Sequence, residues 1–288
     1  MSFALSWLPL EPEAPHPSQP DSGPASLTFA LWARKSGDGA FSLAYYLIMQ
    51  PVILSETVEY IVINKPPKMA TEPPSSNPTL RDWLISQEHL NPSEWGSDDR
   101  FGIVHRLDTD TSGVILWAKT ASAQSRLREQ WQGRAVKKTY LALVTGSTEP
   151  SGTIEYALER DNQNDRQRVA LLPTAKSRPA ITHYKSLAHG SIGERPVSLI
   201  ELHPVTGRTH QIRVHCKAIG HPLVGDKLYG EKSSTEIARL AGLDRQFLHA
   251  ASLELPDHHP FSTPLPPDLA DCLEKCGIKS LGQTVQTD

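Results

Sequence analysis

Gly102-Ile103-Val104-His105-Arg106-Leu107-Asp108-Thr109-Asp110-Thr111-Ser112-Gly113-Val114-Ile115-Leu116-Trp117-Ala118 sets a polar, turn-forming segment against an apolar run. The run from Gly113 to Ala118 has strand length and reads as a buried strand. The residues before it are small, polar or charged, as in a loop, and loops on a rigid scaffold are where catalytic groups tend to sit. Asp108 is a candidate nucleophile or base, with Arg106 two residues away. Asp, Thr, Ser and Gly are also ordinary turn residues. Composition alone leaves both readings open.

Outward from this stretch, Thr120 to Gln132 reads as a helix ended by Gly133. Lys138-Thr139-Tyr140-Leu141-Ala142-Leu143-Val144 alternates like a strand. Upstream, Glu59-Tyr60-Ile61-Val62-Ile63 reads as a strand stopped by Asn64-Lys65-Pro66-Pro67. Lys65 is taken as a structural part of that turn, away from any chemistry. Thr79 to His89 suits a helix with Thr79 as N-cap. Further on come a strand at 197–202, a helix from Thr209 to Ile219 and a strand from Phe247 to Leu255. These elements lack the regular alternation of a parallel doubly wound sheet. They predict an α+β fold, a mixed and mostly antiparallel sheet with packed helices. Residues 1–50 begin with a Pro-, Ser- and Glu-rich segment and are expected to form a partly disordered extension. Residues 51–288 are expected to form the functional domain.

A second segment can carry chemistry: Val205-Thr206-Gly207-Arg208-Thr209-His210-Gln211-Ile212-Arg213-Val214-His215. Gly207 permits a close approach, and Thr209 is expected to cap the helix. Arg208 and His210 at a helix N-terminus would favour an anion such as phosphate. Arg213 lies one turn further in. A surface helix with basic residues reads equally well here.

The chain has 288 residues, 38% hydrophobic and 21% charged, enough to bury a core. Its apolar runs are shorter than the roughly 18 residues a membrane helix needs. Its start lacks the basic segment and apolar stretch of a secretory signal. A cytoplasmic protein without membrane contact is expected. Cys216, Cys272 and Cys276 suit reduced thiols better than a disulfide framework. His210 and His215 are five apart rather than four, which disfavours a zinc-hydrolase helix. Net charge is −3. Yet Lys119, Arg126, Arg128, Arg134, Lys137 and Lys138 share a stretch whose one acid is Glu129, and a local basic face can hold a polyanion.

HRLDTDTSG (105–113) and GRTHQIRVH (207–215) together closely resemble the RluA-type family of RNA pseudouridine synthases. VINKPP (62–67), KKTYLALV (137–144), AIGHPLVGDKLYG (218–230) and FLHAASLEL (247–255) fit in order. The resemblance spans about residues 53 to 256. It departs at Lys68-Met69-Ala70-Thr71-Glu72-Pro73, where relatives often read Gly, apolar residues, then His-Pro. It implies isomerisation of uridine in ribosomal or transfer RNA within a central RNA-binding cleft. The N1–C1′ bond breaks, the flipped-out uracil turns and a C5–C1′ bond forms, with no cofactor and no metal. By this resemblance Asp108 is the essential aspartate, Arg213 the basic residue paired with it, and Tyr140 the ring lying against the base. Arg106 would bind phosphate or fill the vacated stack, and His105, Arg208 and His210 would orient the loop or contact phosphate. RNA is the expected partner of a monomer, and the basic stretch would track its backbone. The rival reading is an RNA-binding or RNA-folding protein that has lost catalysis. The intact Asp108, Tyr140 and Arg213 speak against it.

Overall fold

Seven consecutive buried residues, Ser112–Ala118, make β3 an interior strand, as its apolar run implies. The structure is a computed structural model that describes residues 50–95, 100–161, 166–172, 174–256 and 258–279. The extension expected at 1–50 lies outside these residues apart from Gln50. Before β3 come β1 (Val52–Glu56), β2 (Tyr60–Lys65) and α1 (Leu80–Ser86). After it come α2 (Ala121–Gln132), β4 (Lys137–Thr145), β5 (Ser151–Glu155), β6 (Leu158–Asp161) and β7 (Arg166–Val169). Next are β8 (Ile181–Ile192), β9 (Arg195–Pro204), α3 (Gln211–Ala218) and α4 (Lys232–Ala241). The chain continues with β10 (Leu248–Glu254), β11 (Phe261–Ser262) and α5 (Pro267–Lys275).

The main sheet runs β1-β2-β3-β10-β4-β9-β8-β5, with β11 beside β10 and β6–β7 as a separate hairpin. Among the described pairings only β3 with β10 is parallel. This is the mixed, mostly antiparallel α+β sheet expected. The parallel pair sets Ser112 beside His249 and Gly113 beside Ala250. Gly113 takes a φ of +116°, and a Cβ there would lie 2.1 Å from the Ala250 carbonyl oxygen. Only glycine lets the strands cross this closely.

Alternation along β4 divides the core. Ala142 and Val144 meet Ile200, Leu202, Ile212 and Cys216, which seats α3 on one face. Leu143 meets Val197, Leu199, Ile237 and Leu273, which seats α4 and α5 on the other. Thr79 caps α1 as expected, in a reciprocal box with Asp82.

Two helix ends differ from expectation. Gly133 keeps ordinary helical backbone, and the left-handed residue that stops α2 is Arg134, at φ 59°. Its amide bonds the Trp131 carbonyl and that of Ala135 bonds Gln130, closing a Schellman turn. At α3 the N-cap is His210, left-handed at φ 53° and without a side-chain cap bond, rather than Thr209. Gln211 fastens that turn instead. Its Oε1 accepts from the Arg208 amide and the Thr206 hydroxyl, and its Nε2 donates to the Ile181 carbonyl.

Candidate active site

The loop that leads into β3 is held almost residue by residue from other elements. Thr71 Oγ1 donates to the Leu107 carbonyl at 2.9 Å. Lys65 Nζ donates to the Thr109 carbonyl at 3.1 Å, and Arg245 Nη1 to that of Asp110 at 3.0 Å. Gln246 Nε2 donates to Thr111 Oγ1 at 3.2 Å, and the Ser112 hydroxyl meets His249 Nδ1 at 3.0 Å. Between these anchors the Asp108 side chain stays 26% exposed and meets α3.

Asp108 Oδ2 accepts from Arg213 Nη1 at 2.9 Å. The same guanidinium is gripped from behind by Asp226, Nε to Oδ2 at 2.7 Å and Nη2 to Oδ1 at 2.8 Å. Asp226 Oδ1 also accepts the amides of Leu228 and Tyr229. Burial works against the Arg213 charge, but Asp226 and Asp108 outweigh it and hold its pKa above the ordinary value. Burial would likewise raise the Asp226 carboxyl, and the Arg213 hydrogen bonds and charge hold it down. The planar fork of arginine suits this double task, two donors to one carboxylate and a third to the other. Arg213 therefore points a fixed positive charge at Asp108.

His210 stands on the other side, its Nε2 3.8 Å from Asp108 Oδ1. Its Nδ1 meets the Tyr229 hydroxyl at 2.9 Å, and that hydroxyl accepts the Gln167 amide from β7. The Tyr229 ring also lies 5.1 Å beneath the Arg213 guanidinium. Tyr140 reaches the site from β4. Burial first, then the negative charge of Asp108, push its phenol well above its usual range, so it keeps its proton at neutral pH.

The remaining expected residues spread out. His105 Nε2 accepts the Leu116 amide at 3.0 Å and its ring stacks on Trp131 at 4.4 Å. Burial, then the charge of Lys138, press its pKa to about 3, so it is a neutral acceptor and brings no positive charge for a phosphate. Arg106 donates to Glu72 at 2.9 Å, in the loop that departs from the expected pattern, and Arg100 binds the same carboxylate. Arg208 is bound to the Pro179 carbonyl at 3.3 Å. His215 is buried, between the Thr182 hydroxyl and the Tyr156 carbonyl. The basic stretch 119–138 meets acids from elsewhere: Lys119 pairs with Glu56, Arg126 with Glu59 and Lys137 with Glu254. Arg128 binds the Ile103 carbonyl.

Sequence reasoning missed Asp226, Tyr229, Arg245 and the reach of Lys65. Lys65 is fully buried and holds its own turn through the Pro66 and Met69 carbonyls, as expected, and it also reaches the Asp108 loop at the Thr109 carbonyl. Burial, then the charge of Arg245, draw its pKa to about 7, against the pull of Asp108 and Asp110. Asp226 and Tyr229 lie in the quoted string GDKLYG, a signal that was in view but unassigned. No helix among the described residues is long and apolar enough to cross a membrane.

Comparison with known proteins gives a consistent picture. The model of the RNA pseudouridylate synthase family matches residues 59–218. Ribosomal large subunit pseudouridine synthase D of Escherichia coli strain K12 is 38% identical over 238 residues, covering 77% of this chain and 69% of that protein. An RNA pseudouridine synthase of Chloroflexus aurantiacus, itself uncharacterized, is 42% identical over 215 residues, covering 72% and 63%. Among solved structures, human RNA pseudouridylate synthase domain containing 1 superposes with a TM-score of 0.62 at 31% identity, covering 78% of this chain and 88% of that one.

Proposed function

The chain belongs to the RNA pseudouridylate synthase family, and from that membership we propose that Asp108 is the carboxylate with which it isomerises uridine in RNA. The enzyme is an isomerase: uridine and pseudouridine have the same atoms, and only the bond to C1′ moves from N1 to C5. Such a reaction exchanges no electrons and transfers no group to or from another molecule, so its balance calls for no cofactor. A carboxylate is suited to covalent work at a sugar carbon, as in retaining glycosidases.

The observation that carries the assignment is the Arg213–Asp108 bond of 2.9 Å, with Arg213 clamped by Asp226. A guanidinium so fixed holds the Asp108 carboxylate in one orientation, between Arg213 and His210. Tyr140 offers a flat, protonated ring to the uracil. His210 and Tyr229 complete the wall. The target base must leave its stack, which costs a few kcal/mol and least in an open loop. Arg106, released from Glu72, is the side chain placed to take a phosphate or the vacated space. His105 orients the loop from beneath, and Arg208 lies at the rim.

The Escherichia coli relative is named for the ribosomal large subunit, which makes large-subunit ribosomal RNA the preferred substrate, with transfer RNA second. That substrate favours a cytoplasmic setting. Asp108, Tyr140, Arg213, Asp226 and Tyr229 all lie within residues 51–288, the catalytic domain in this reading, and the reading is of a monomer. The test is purified protein with unmodified transcripts of both RNAs, pseudouridine being read as carbodiimide-dependent stops in primer extension. New stops at discrete uridines of the ribosomal transcript are expected. Stops confined to transfer RNA would overturn the substrate choice, and none on either would overturn the function.

A further inference from the structure

Within the basic stretch, Lys138 and the exposed Arg134 have no side-chain partner among the described residues, and of the two only Lys138 is half-buried. Lys119, Arg126 and Lys137 each meet a carboxylate, and Arg128 meets a carbonyl. Among the described residues Lys138 has neither an ion pair nor a hydrogen bond. Its neighbour His105 cannot balance it, because that imidazole is neutral and its Nε2 is taken by the Leu116 amide. Yet Lys138 is half-buried, and burial draws its pKa down to about 8. A desolvated ammonium without a counter-charge is costly, and a surface lysine could avoid that cost by extending into water.

Its place on β4 gives the reason. Side chains two apart on a strand share a face, about 7 Å from one another. Lys138 therefore stands on the face of Tyr140, on the side toward His105 and the stretch that leads to Asp108. The geometry points to Lys138 as a binding residue for a phosphodiester of the substrate RNA, next to the nucleotide whose base lies against Tyr140. The ligand is an anion rather than the base itself, because uracil is neutral and would leave the ammonium uncompensated. This assignment rests on the functional reading above and adds to it a contact in the gap between base and loop.

The test compares wild type, Lys138→Met and Lys138→Arg on a ribosomal RNA fragment that wild type converts. Lys138→Met should weaken binding about tenfold, the size of a lost charge-assisted hydrogen bond, with the loss carried by KM rather than kcat. The slope of log Kd against log salt should become shallower by about 1. Lys138→Arg should restore most of both. The thermal midpoint of Lys138→Met should equal or exceed that of wild type, since a strained charge has been removed. A methylphosphonate moved through the phosphates around the target should reveal one position that weakens wild type but not Lys138→Met. Unchanged affinity and salt slope would overturn the proposal. So would a lowered midpoint with equal sensitivity to every methylphosphonate, the mark of a structural lysine. Binding is read separately from conversion. A wild type that binds but forms no pseudouridine would refute the functional reading while the affinity series still decides Lys138.

Discussion

Asp226 is placed to act on the proposed reaction through Arg213 rather than to take part in it. It holds two of the Arg213 donors and leaves the third for Asp108. Asp226→Asn should leave a buried guanidinium short of charge, at a cost of about 3 kcal/mol in urea unfolding. The rate should drop by about two orders of magnitude, since small misplacement of a reacting group costs that much. Single-turnover conversion, measured where the variant is still folded, checks this. A rate near wild type would mean that Arg213 needs no second anchor. The residues that touch one another across the site were legible unevenly. Asp108 and Arg213 stood out because each sits in a dense polar motif. Asp226 did not, because a lone Asp in a Gly-containing turn is ordinary. Nor did Lys65, because its partners at Met69 and Thr109 are backbone carbonyls, which no side-chain pattern announces.

Helices and strands followed the same rule: what is local was readable. The Thr79 cap, which depends on a residue three away, was placed correctly, and the helix read from Thr120 starts one residue later, with Thr120 as its cap. The end of α2 was not, since the choice between Gly133 and Arg134 for the left-handed position depends on backbone geometry at single-residue precision. A left-handed non-glycine costs about 1 kcal/mol. Arg134→Gly should therefore raise stability by about 0.5–1 kcal/mol, the usual gain when glycine takes a left-handed cap. Chemical denaturation with an unchanged m-value would show it, and a loss of stability would mean that the arginine side chain contributes more than its backbone costs. The long β8 is broken into by polar residues and largely half-exposed, so it carried no clear apolar signal. The basic stretch 119–138 looked like a track for RNA because its acids, Glu56, Glu59 and Glu254, lie far away in the chain and arrive only on folding.

Over the whole molecule, the mixed sheet was legible from irregular alternation of elements, while its one parallel seam, β3 beside β10, was not. That seam joins residues more than a hundred apart and depends on Gly113 having no side chain. It also brings His249 under the Asp108 loop. Burial holds His249 at a pKa of about 4 and His105 at about 3, and lowers His215 as well. In the unfolded chain these imidazoles titrate near 6.5. Above that pH both states are neutral. As pH falls from 6.5 toward 4 the unfolded chain takes up protons that the folded one refuses, so stability is lost. Unfolding free energy followed from pH 7 to 5 should decline, and the decline should be shallower in His105→Gln. A flat profile would show that these imidazoles ionise freely in the folded protein.

The central claim is that Asp108 reacts, and the direct measurement is pseudouridine formed by Asp108→Asn on the RNA that wild type converts, without added metal or nucleotide. Asparagine nearly matches the shape of the carboxylate and can still accept from Arg213 Nη1, but it serves as neither nucleophile nor base. The variant should show a wild-type circular dichroism spectrum and bind the RNA, with pseudouridine absent after prolonged incubation with excess enzyme. Conversion at a rate close to wild type by such a folded, RNA-binding variant would contradict the account.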